Sequence, residues 1–385
     1  MTMNRRNFLA AGAALPWALR AMAARPAPVP ASTGWVLLGT DKGAGIYRAR
    51  WNATTGEFGK PELAFTTDRP DFFAMHPRLP VLYAVNSMSG DKAAVTALRV
   101  HRETAELELI NQRQTHGDGP CYVSVDHTGQ SLFAANYSGG SMTAYRLAND
   151  GSIAQTVGVF RYNQPTHGPV SDRQDAAHLH CTTVSPNNDF VLVCDLGDDV
   201  ILVFPIAPDK ASYVGGPERV NARPGSGPRH LAFHPNGKWV YCIHEIDCSI
   251  DLYDWRVTMG KMNMTLREGS IISTMRPFAA TKGNTASEIT ISESGRFLYA
   301  CTRGEDTVAV FSIDPTSGLL QQIQRLPCGG QVPRFIAFDP SHRWLVSANQ
   351  SSSTLTVFAH NKETGRLIPK TKRFTADTPM FVQWL

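Results

Sequence analysis

The chain has 385 residues, of which 42% are hydrophobic and 18% charged, a composition that suits a folded protein with a substantial core and argues against disorder. The net charge of +4 comes from four arginines in the first 33 residues, and the other 33 basic residues are balanced by 33 acidic ones. A nucleic-acid-binding surface is therefore not expected, because such a surface needs a basic excess.

The N-terminal segment has the features of an export signal. The stretch NRRNFLA (4–10) carries an arginine pair, Arg5 and Arg6, and is followed by an apolar run and by small residues at 21–24. It resembles a twin-arginine signal, although Asn4 stands where Ser or Thr is usual. Residues 1–33 are therefore predicted to be a signal peptide and short linker read by the twin-arginine export machinery, which implies a periplasmic protein. The alternative is a cytoplasmic protein with a basic tail. The apolar run is too short for a stable membrane span.

A segment of strand, tight turn and strand recurs along the rest of the chain. The copies are FAMHPRLPVLYAVN (73–86), VSVDHTGQSLFAAN (123–136), TTVSPNNDFVLVCD (182–195), LAFHPNGKWVYCIH (231–244), ITISESGRFLYACT (289–302) and IAFDPSHRWLVSAN (336–349). A third apolar strand such as SMTAYRL usually follows, then a looser fourth segment. The period of roughly fifty residues is typical of four-stranded propeller blades.

The two ends of the chain complete a seventh unit. The C-terminal TPMFVQWL (378–385) matches only a first strand, whereas GWVLLGT, GIYRARW and PELAFTT near the N-terminus match the second, third and fourth. Joining them closes a ring and removes exposed sheet edges. The sequence therefore predicts one all-β domain over 34–385, a seven-bladed β-propeller. A β-sandwich or solenoid would not explain the two incomplete ends. The strands are apolar on both sides, as expected for blades packed face to face.

Two positions of the repeat carry charges that the architecture does not require. Six residues before the turn stand Asp71, Cys121, His180, Arg229, Ser287 and Arg334, and ten residues after it stand Ser87, Tyr137, Leu196, Glu245, Arg303 and Gln350. Antiparallel pairing places Arg229 roughly opposite His244 and one step from Glu245. Starts of first strands and ends of second strands share one face of the disc, so one mouth is expected to be surrounded by His180, Arg229, Glu245, Arg303 and Arg334. Arg334 could instead pair with Glu305 or Asp306.

The loop YNQPTHGPVSDRQDAAHLH (162–180) is an insertion that enters on the same face. Its His178 and His180 are two residues apart and are expected to point to one side of a strand. Because they lack an obvious third ligand, an acid–base histidine is favoured over a metal site.

The seven cysteines form no C-x-x-C pair and no zinc spacing, so they are expected to be small core residues. Cys181 and Cys194 are predicted to face each other across one hairpin. Either a disulfide or two free thiols is compatible with that position.

Several stretches resemble the seven-bladed propeller lactonase family, which includes bacterial 6-phosphogluconolactonase and, more distantly, fungal carboxymuconate-lactonizing enzyme. They are RQDAAHLH, DLGDD, GPRHLAFHP, ASEITISESGRFLYACTRGEDTVAVF and PRFIAFDPSHRWLVSANQ. The resemblance spans nearly the whole chain after residue 33. It implies a lactonase whose active-site residues are His180, Arg229, Glu245 and Arg303. Substrate contacts are predicted for Arg173, His178, Glu288 and Arg334, with no metal and no cofactor.

Such a set of residues suits the opening of a lactone ring. The reaction needs a base for the attacking water, a cation for the developing oxyanion and a proton for the leaving ring oxygen. Glu245 is the expected base, Arg229 and Arg303 would hold the oxyanion and then the product carboxylate, and His180 would transfer the second proton. No nucleophile elbow or metal signature is present, so direct hydrolysis by water is predicted.

The predicted function is hydrolysis of a sugar δ-lactone to the aldonic acid. Glucono-1,5-lactone is the favoured substrate, because a phosphorylated lactone would rarely occur outside the cytoplasmic membrane. The alternatives are the 6-phosphogluconolactonase of the pentose phosphate pathway, with Arg173 or Arg334 as a phosphate contact, and a non-catalytic propeller that binds a sugar acid or a protein. A lactonizing or isomerase activity is a further alternative, and a monomer is expected.

Overall fold

The computed structural model describes residues 33–162, 167–207 and 212–385. The predicted signal peptide therefore lies outside the described residues, except for Thr33. The described residues form seven antiparallel sheets and one short 3-10 helix, Gly90–Lys92. Each sheet is one blade of a ring, so the predicted seven-bladed β-propeller is confirmed. No helix among the described residues is long and apolar enough to cross a membrane.

Blade one is built from both ends of the chain, as predicted. Its first strand is the C-terminal one, which pairs with the first strand of the chain, so that Leu38 lies opposite Val382. This pairing closes the ring and leaves neither terminal sheet edge open. The blade consists of β31 (Pro379–Trp384), β1 (Thr33–Thr40), β2 (Gly45–Asn52), β3 (Glu57–Phe58) and β4 (Glu62–Thr66).

The other six blades follow in chain order, each starting with its innermost strand. Blades two and three consist of β5 (Phe73–Met75), β6 (Val81–Asn86), β7 (Ala94–His101) and β8 (Glu106–Gln114), then β9 (Pro120–Val125), β10 (Ser131–Asn136), β11 (Ser141–Leu147) and β12 (Ile153–Arg161). Blades four and five consist of β13 (Leu179–Val184), β14 (Phe190–Asp195), β15 (Val200–Ala207), β16 (Ser212–Tyr213) and β17 (Glu218–Asn221), then β18 (Pro228–Phe233), β19 (Trp239–His244), β20 (Ser249–Thr258), β21 (Lys261–Leu266) and β22 (Ile272–Ser273). Blades six and seven consist of β23 (Thr285–Ile291), β24 (Phe297–Arg303), β25 (Thr307–Ile313) and β26 (Leu320–Pro327), then β27 (Pro333–Phe338), β28 (Trp344–Asn349), β29 (Thr354–His360) and β30 (Leu367–Thr375).

The core is divided among the contacts between neighbouring blades. Each of seven buried clusters joins side chains of two adjacent blades, for example Tyr241 and Ile250 of blade five with Leu298 and Phe311 of blade six. Both faces of a blade are therefore covered, which explains why a second strand such as β14 is apolar and buried throughout. Removing one of these aromatic rings would cost about 3–5 kcal/mol, because the packed neighbours could not fill the space.

A β-bulge lies at the mouth end of the first strand in most blades. In blade five Pro228 pairs with His244 and His230 with Ile243, so Arg229 is an extra, unpaired residue. The expected register was therefore off by one residue, since Pro228 and not Arg229 faces His244. Cys121, His180, Arg334 and Met380 occupy the same bulge position in their own blades. Because a bulge re-aims a side chain, these residues turn towards the central channel.

Cys181 pairs with Cys194 in the β13–β14 ladder, as the sequence register predicted. Both residues are buried, and all seven cysteines are free. The two thiols therefore contribute to the packing between blades four and five, where Cys242 adjoins them.

Candidate active site

A cavity of about 390 Å³ opens at one mouth of the channel. The structure brings three of the predicted residues, His180, Glu245 and Arg334, into its wall. Other residues of the wall include Arg69, Asp71, Ser87, Cys121, Tyr137 and Gln350. Arg229 lies just below, in the constriction that continues the channel. The cavity is thus concave, polar and bordered by several blades, which is the usual form of a small-molecule site.

Glu245 is the centre of the predicted set of residues. It follows β19, and its backbone N–H donates to the carbonyl of Gly227, which fixes the end of the hairpin. Its Oε2 accepts hydrogen bonds from Arg229 Nε at 2.8 Å and from Arg303 Nη2 at 2.9 Å. Arg173 Nη2 donates to Oε1. Three guanidiniums therefore surround one carboxylate that is only 4% exposed.

This environment fixes the charge of Glu245. Burial alone would raise its pKa, but the guanidiniums of Arg303 and Arg229, with help from His180 and Arg173, hold the pKa well below its usual range. A carboxylate stabilised in this way accepts a proton poorly. The structure therefore disfavours the role of general base that the sequence suggested for Glu245, and favours a role in holding the arginines.

Arg229 is almost completely buried, with 1% of its surface exposed. Its Nη1 donates to the carbonyl of Ser287, in addition to the Nε contact with Glu245. Burial and the nearby charge of Arg334 lower its pKa to about 10, so the side chain stays protonated at neutral pH. Two of its donors are thus already used inside the protein.

Arg303, at the end of β24, also reaches the cluster from the neighbouring blade. Its Nη2 donates to the carbonyl of Ala286 at 2.9 Å as well as to Glu245. Its Nε is buried and has no hydrogen-bond partner among the described residues. The three arginines Arg173, Arg229 and Arg303 and the single carboxylate of Glu245 give the cluster a net charge of +2. This charge suits an anionic transition state or product.

His180 lies beside Glu245, with 3.7 Å between its Nε2 and Oε2 of the carboxylate. Its ring also makes edge contacts with Tyr137 and His230, with centroids 5.4 and 5.0 Å apart. Burial and the charge of Arg229 hold the pKa of His180 well below its usual value. The imidazole is therefore neutral at pH 7 and has a free lone pair, unlike the Glu245 carboxylate, which is held by three guanidiniums. Its lowered pKa makes it a weaker base than an exposed histidine, and the adjacent carboxylate would stabilise the cation that forms when it accepts a proton.

Arg334 differs from the other arginines of the site. Among the described residues it has no hydrogen bond and no ion pair, although it lines both the cavity and the constriction. The alternative pairing with Glu305 or Asp306 does not occur, because Glu305 binds Arg276 and Arg325 while Asp306 accepts the backbone N–H of Val332. Arg334 is thus a cation available to a ligand.

His178 is not brought into the cavity wall with His180. Its ring stacks on Tyr137 with centroids 4.5 Å apart, and its Nε2 lies 3.2 Å from Asp175 Oδ1. The rings of His178 and His180 both lie against Tyr137, although the bulge at His180 interrupts the strand alternation on which the expectation rested.

Glu288 is not in the wall of the mouth cavity but lines the constriction below it, with His180, Arg229 and Arg334. Its Oε1 lies 3.1 Å from His230 Nδ1 and accepts the backbone N–H of Ile289. The pairing of β23 with β24 skips two residues between Ala286 and Ile289, and Glu288 lies below the mouth cavity, where it lines both the constriction and the cavity at the opposite mouth. A substrate contact at the mouth is therefore not supported for Glu288.

The opposite mouth leads into a larger cavity of about 710 Å³. Aromatic rings separate it from the first cavity. Phe72 stacks on Tyr122 at 3.9 Å between centroids, and Phe335 lies against Phe381 at 4.2 Å. These rings divide the channel into two cavities, one at each mouth.

Sequence comparison did not select two residues of the cavity wall, Asp71 and Tyr137. Both appear in the comparison of repeat positions, and Asp71 stands at the position that holds His180 and Arg229 in other blades. This equivalent repeat position could have identified Asp71 as a site residue from the sequence. Tyr137 adjoins His180 and His178, but a tyrosine at the end of a strand is not distinctive in a protein with many strand-end aromatics.

Among the described residues, no group of three or more His, Cys, Asp or Glu side chains is placed to hold a metal ion. What the cavity does contain is a neutral imidazole, a carboxylate held by guanidiniums and an unpaired arginine. The fold and the site together define a β-propeller with a polar small-molecule pocket at one mouth.

The chain belongs to the seven-bladed β-propeller lactonases, because the family model described as "Lactonase, 7-bladed beta-propeller" matches residues 35–384. The 6-phosphogluconolactonase of Bacillus subtilis is 30% identical over 341 residues, which cover 89% of this chain and 94% of the relative. That of Formosa agariphila is 31% identical over 336 residues, covering 85% and 92%.

A solved structure of similar shape is the periplasmic gluconolactonase of Pseudomonas aeruginosa. It is 29% identical, its alignment covers 92% of this chain and 99% of the other, and the TM-score is 0.84. Together with the family match and the two sequence relatives, this identifies the chain as a lactonase, a hydrolase of cyclic esters.

Proposed function

We propose that the protein hydrolyses an unphosphorylated sugar δ-lactone, with glucono-1,5-lactone as the favoured substrate, after export by the twin-arginine route. The observation that carries the chemistry is the presence, in one cavity, of a neutral buried imidazole at His180 and an unpaired guanidinium at Arg334. The first can accept the proton of the attacking water, and the second can bind the oxyanion.

In the proposed reaction, Arg334 has the part that the sequence assigned to Arg229 and Arg303. The latter two donate to Glu245, and Arg229 also donates to a backbone carbonyl, so fewer of their donors remain for a ligand. The guanidinium of Arg334 can offer two parallel donors to the carboxylate of the product. The net positive charge of the cluster formed by Glu245 with Arg173, Arg229 and Arg303 would also stabilise the negative charge that develops on the oxyanion.

The preference for an unphosphorylated substrate rests on the N-terminal arginine pair and the apolar run that follows it. A phosphorylated sugar lactone would rarely meet an enzyme outside the cytoplasmic membrane. The name of the Pseudomonas aeruginosa relative, a periplasmic gluconolactonase, points in the same direction.

The second candidate is a 6-phosphogluconolactonase. The excess of positive charge around Glu245 and the unpaired Arg334 would also suit a phosphate group, and two relatives carry this name. The two candidates share the ring-opening chemistry and differ only in what the cavity binds at the far end of the sugar.

Titration at constant pH, corrected for spontaneous hydrolysis, tests the proposal with glucono-1,5-lactone and its 6-phosphate as substrates. We expect kcat/KM to be at least about 10-fold higher for the free lactone, and His180→Gln to lower it by about 10²-fold. His127→Gln is the matched control, since His127 is exposed in the β9–β10 turn. A preference for the phosphorylated lactone would support the second candidate. No acceleration of either lactone would indicate a binding protein.

Export is tested by a double substitution of the arginine pair, Arg5→Lys with Arg6→Lys. We expect the precursor to accumulate in the cytoplasm, measured by cell fractionation and immunoblotting. Unimpaired export of the variant would contradict the twin-arginine route and would leave the lactonase assay unaffected.

A further inference from the structure

Asp71 lies in the wall of the mouth cavity. It occupies the repeat position of His180 and Arg229, just before β5 and just after the buried Pro70. It lines both the cavity and the constriction, together with His180 and Arg334. A ligand bound in the mouth cavity would therefore have both Asp71 and His180 in the wall around it.

The carboxyl group of Asp71 has few partners of its own. The residue is 6% exposed, and its Oδ1 is buried without a hydrogen-bond partner among the described residues. Arg69, the nearest arginine in the chain, is held by Asp41 at 2.9 Å, and Gln350 binds the other oxygen of Asp41 at 3.0 Å. The neighbouring arginine therefore does not neutralise Asp71 by direct contact.

The charged and titratable groups that face Asp71 come from several elements. They are Arg69 and Asp41 beside it, Cys121 of blade three, His180 of blade four, Arg229 and His230 of blade five, Glu288 of blade six and Arg334 of blade seven. Burial raises the pKa of Asp71 to about 7, against the opposing effects of Arg69, Arg334 and the Ser87 hydroxyl. Burial also raises the pKa of Cys121, to about 12, so that its thiol stays neutral.

We propose that Asp71 is the catalytic acid that gives a proton to the ring oxygen when the lactone opens. This proposal rests on the proposed lactonase function. A buried, unpartnered carboxyl oxygen that faces the ligand space is what such a proton donor requires. Glu245 cannot take this part, because its carboxylate is fully ionised by the arginines around it.

The proton transfers balance over one turnover. The oxygen of water forms a bond to the acyl carbon while His180 removes one proton from that water. The bond between the acyl carbon and the ring oxygen then breaks, the electron pair stays on the ring oxygen, and Asp71 supplies the proton that makes it a hydroxyl. The product is the open-chain hydroxy acid, and solvent returns the proton from His180 to Asp71.

The test is the dependence of kcat/KM on pH between 5 and 9 for the wild type and Asp71→Asn. The wild-type value should fall as the pH rises above about 7, because the acid loses its proton. Asp71→Asn should be lower by about 10²-fold and should lack this alkaline limb. A purely structural role would lower the rate equally at every pH and keep the limb. Either that result or an unchanged rate would overturn the proposal.

Asp68→Asn is the matched control, since Asp68 is an exposed aspartate three residues earlier in the same segment. It should have the rate and the pH profile of the wild type. A similar loss in Asp68→Asn would show that the segment, and not the carboxyl of Asp71, is responsible.

A second measurement does not depend on catalysis. Infrared difference spectra of protein with 13C-labelled aspartate carboxyls should contain a protonated carboxyl band that titrates near pH 7 and is missing in Asp71→Asn. If the wild type hydrolyses no lactone, the proposed function fails whatever the infrared result. If it hydrolyses lactones but the band is absent, only the assignment of Asp71 fails.

Discussion

The two carboxyl side chains of the mouth cavity, Glu245 and Asp71, are both buried but lie in opposite electrostatic environments. Glu245 accepts hydrogen bonds from three guanidiniums, which hold its pKa well below the usual range. Asp71 has an unpartnered oxygen, and burial raises its pKa to about 7. Two carboxyls whose pKa values are driven apart in one site can do different work, one as a permanent anion and one as a proton donor.

The propeller itself explains this difference. Repetition brings equivalent positions of several blades to one mouth, and both carboxyls are buried for that reason. The charges around them are not repeated, since Arg173 comes from the insertion loop before blade four and Arg303 from the end of one second strand. The repeated architecture thus buries both carboxyls. The charged residues that differ between blades determine which of the two carboxyls is ionised.

The largest effect is expected when Glu245 is neutralised. Glu245→Gln should lower the free energy of unfolding by about 3–5 kcal/mol, because Arg229 and Arg303 would stay buried without their counter-charge. It should also lower kcat/KM by at least about 10²-fold, since the arginines would lose their positions. Urea denaturation and constant-pH titration measure the two effects. Glu293→Gln, at an exposed turn, is the control, and an unfolding free energy equal to the wild type would contradict the cluster.

The loss of unfolding free energy in Glu245→Gln is expected to depend on pH. The folded-state pKa of Glu245 is lowered, so its contribution to stability is present above the unfolded pKa of about 4.3 and is lost as the pH falls through the folded value. The difference between the wild type and Glu245→Gln should therefore be constant from pH 6 to 8 and shrink under acid conditions. A difference that grows at low pH would be inconsistent with the contacts described here.

An intermediate effect is expected at Arg334. Arg334→Gln should lower kcat/KM by about 10 to 100-fold, because the cation proposed to bind the oxyanion and product would be lost. Its free energy of unfolding should change by less than about 0.5 kcal/mol, since Arg334 makes no hydrogen bond or ion pair among the described residues. Steady-state kinetics and urea denaturation measure the two. Arg366→Gln, exposed in the β29–β30 turn, should change neither, and a large loss of stability in Arg334→Gln would contradict the unpaired state.

The blade number, the closure of the ring and the convergence of His180, Glu245 and Arg334 were all predictable from the sequence. They follow from the roughly fifty-residue strand repeat, and from polar residues at repeat positions that the blade architecture does not require to be polar. The places of His178 and Glu288 were not predictable, because a one-residue or two-residue shift of register depends on the paired backbone.

The charge state of each carboxyl was not predictable for a second reason. Arg69 stands two residues before Asp71 and suggests a surface ion pair, but its partner is Asp41, which follows β1 in blade one. Likewise, nothing in the spacing of Glu245 indicates that Arg173 reaches it from a loop 72 residues earlier. Contacts between distant segments decide the pKa, and one sequence does not contain them.

The smallest expected effect is the change in the free energy of unfolding between the wild type and Asp71→Asn. A carboxyl whose folded pKa is raised stabilises the fold fully below its unfolded pKa of about 3.9, and this contribution is lost as the pH rises through the folded value of about 7. Asparagine has the same shape and no charge, so Asp71→Asn should gain about 1–2 kcal/mol over the wild type between pH 6 and pH 8. Urea denaturation at the two pH values measures this gain, with Asp68→Asn as the control that should follow the wild type. A pH-independent difference would mean that Asp71 is ionised throughout. A variant that is both more stable at pH 8 and less active would mean that the buried acid is kept for catalysis at the expense of stability.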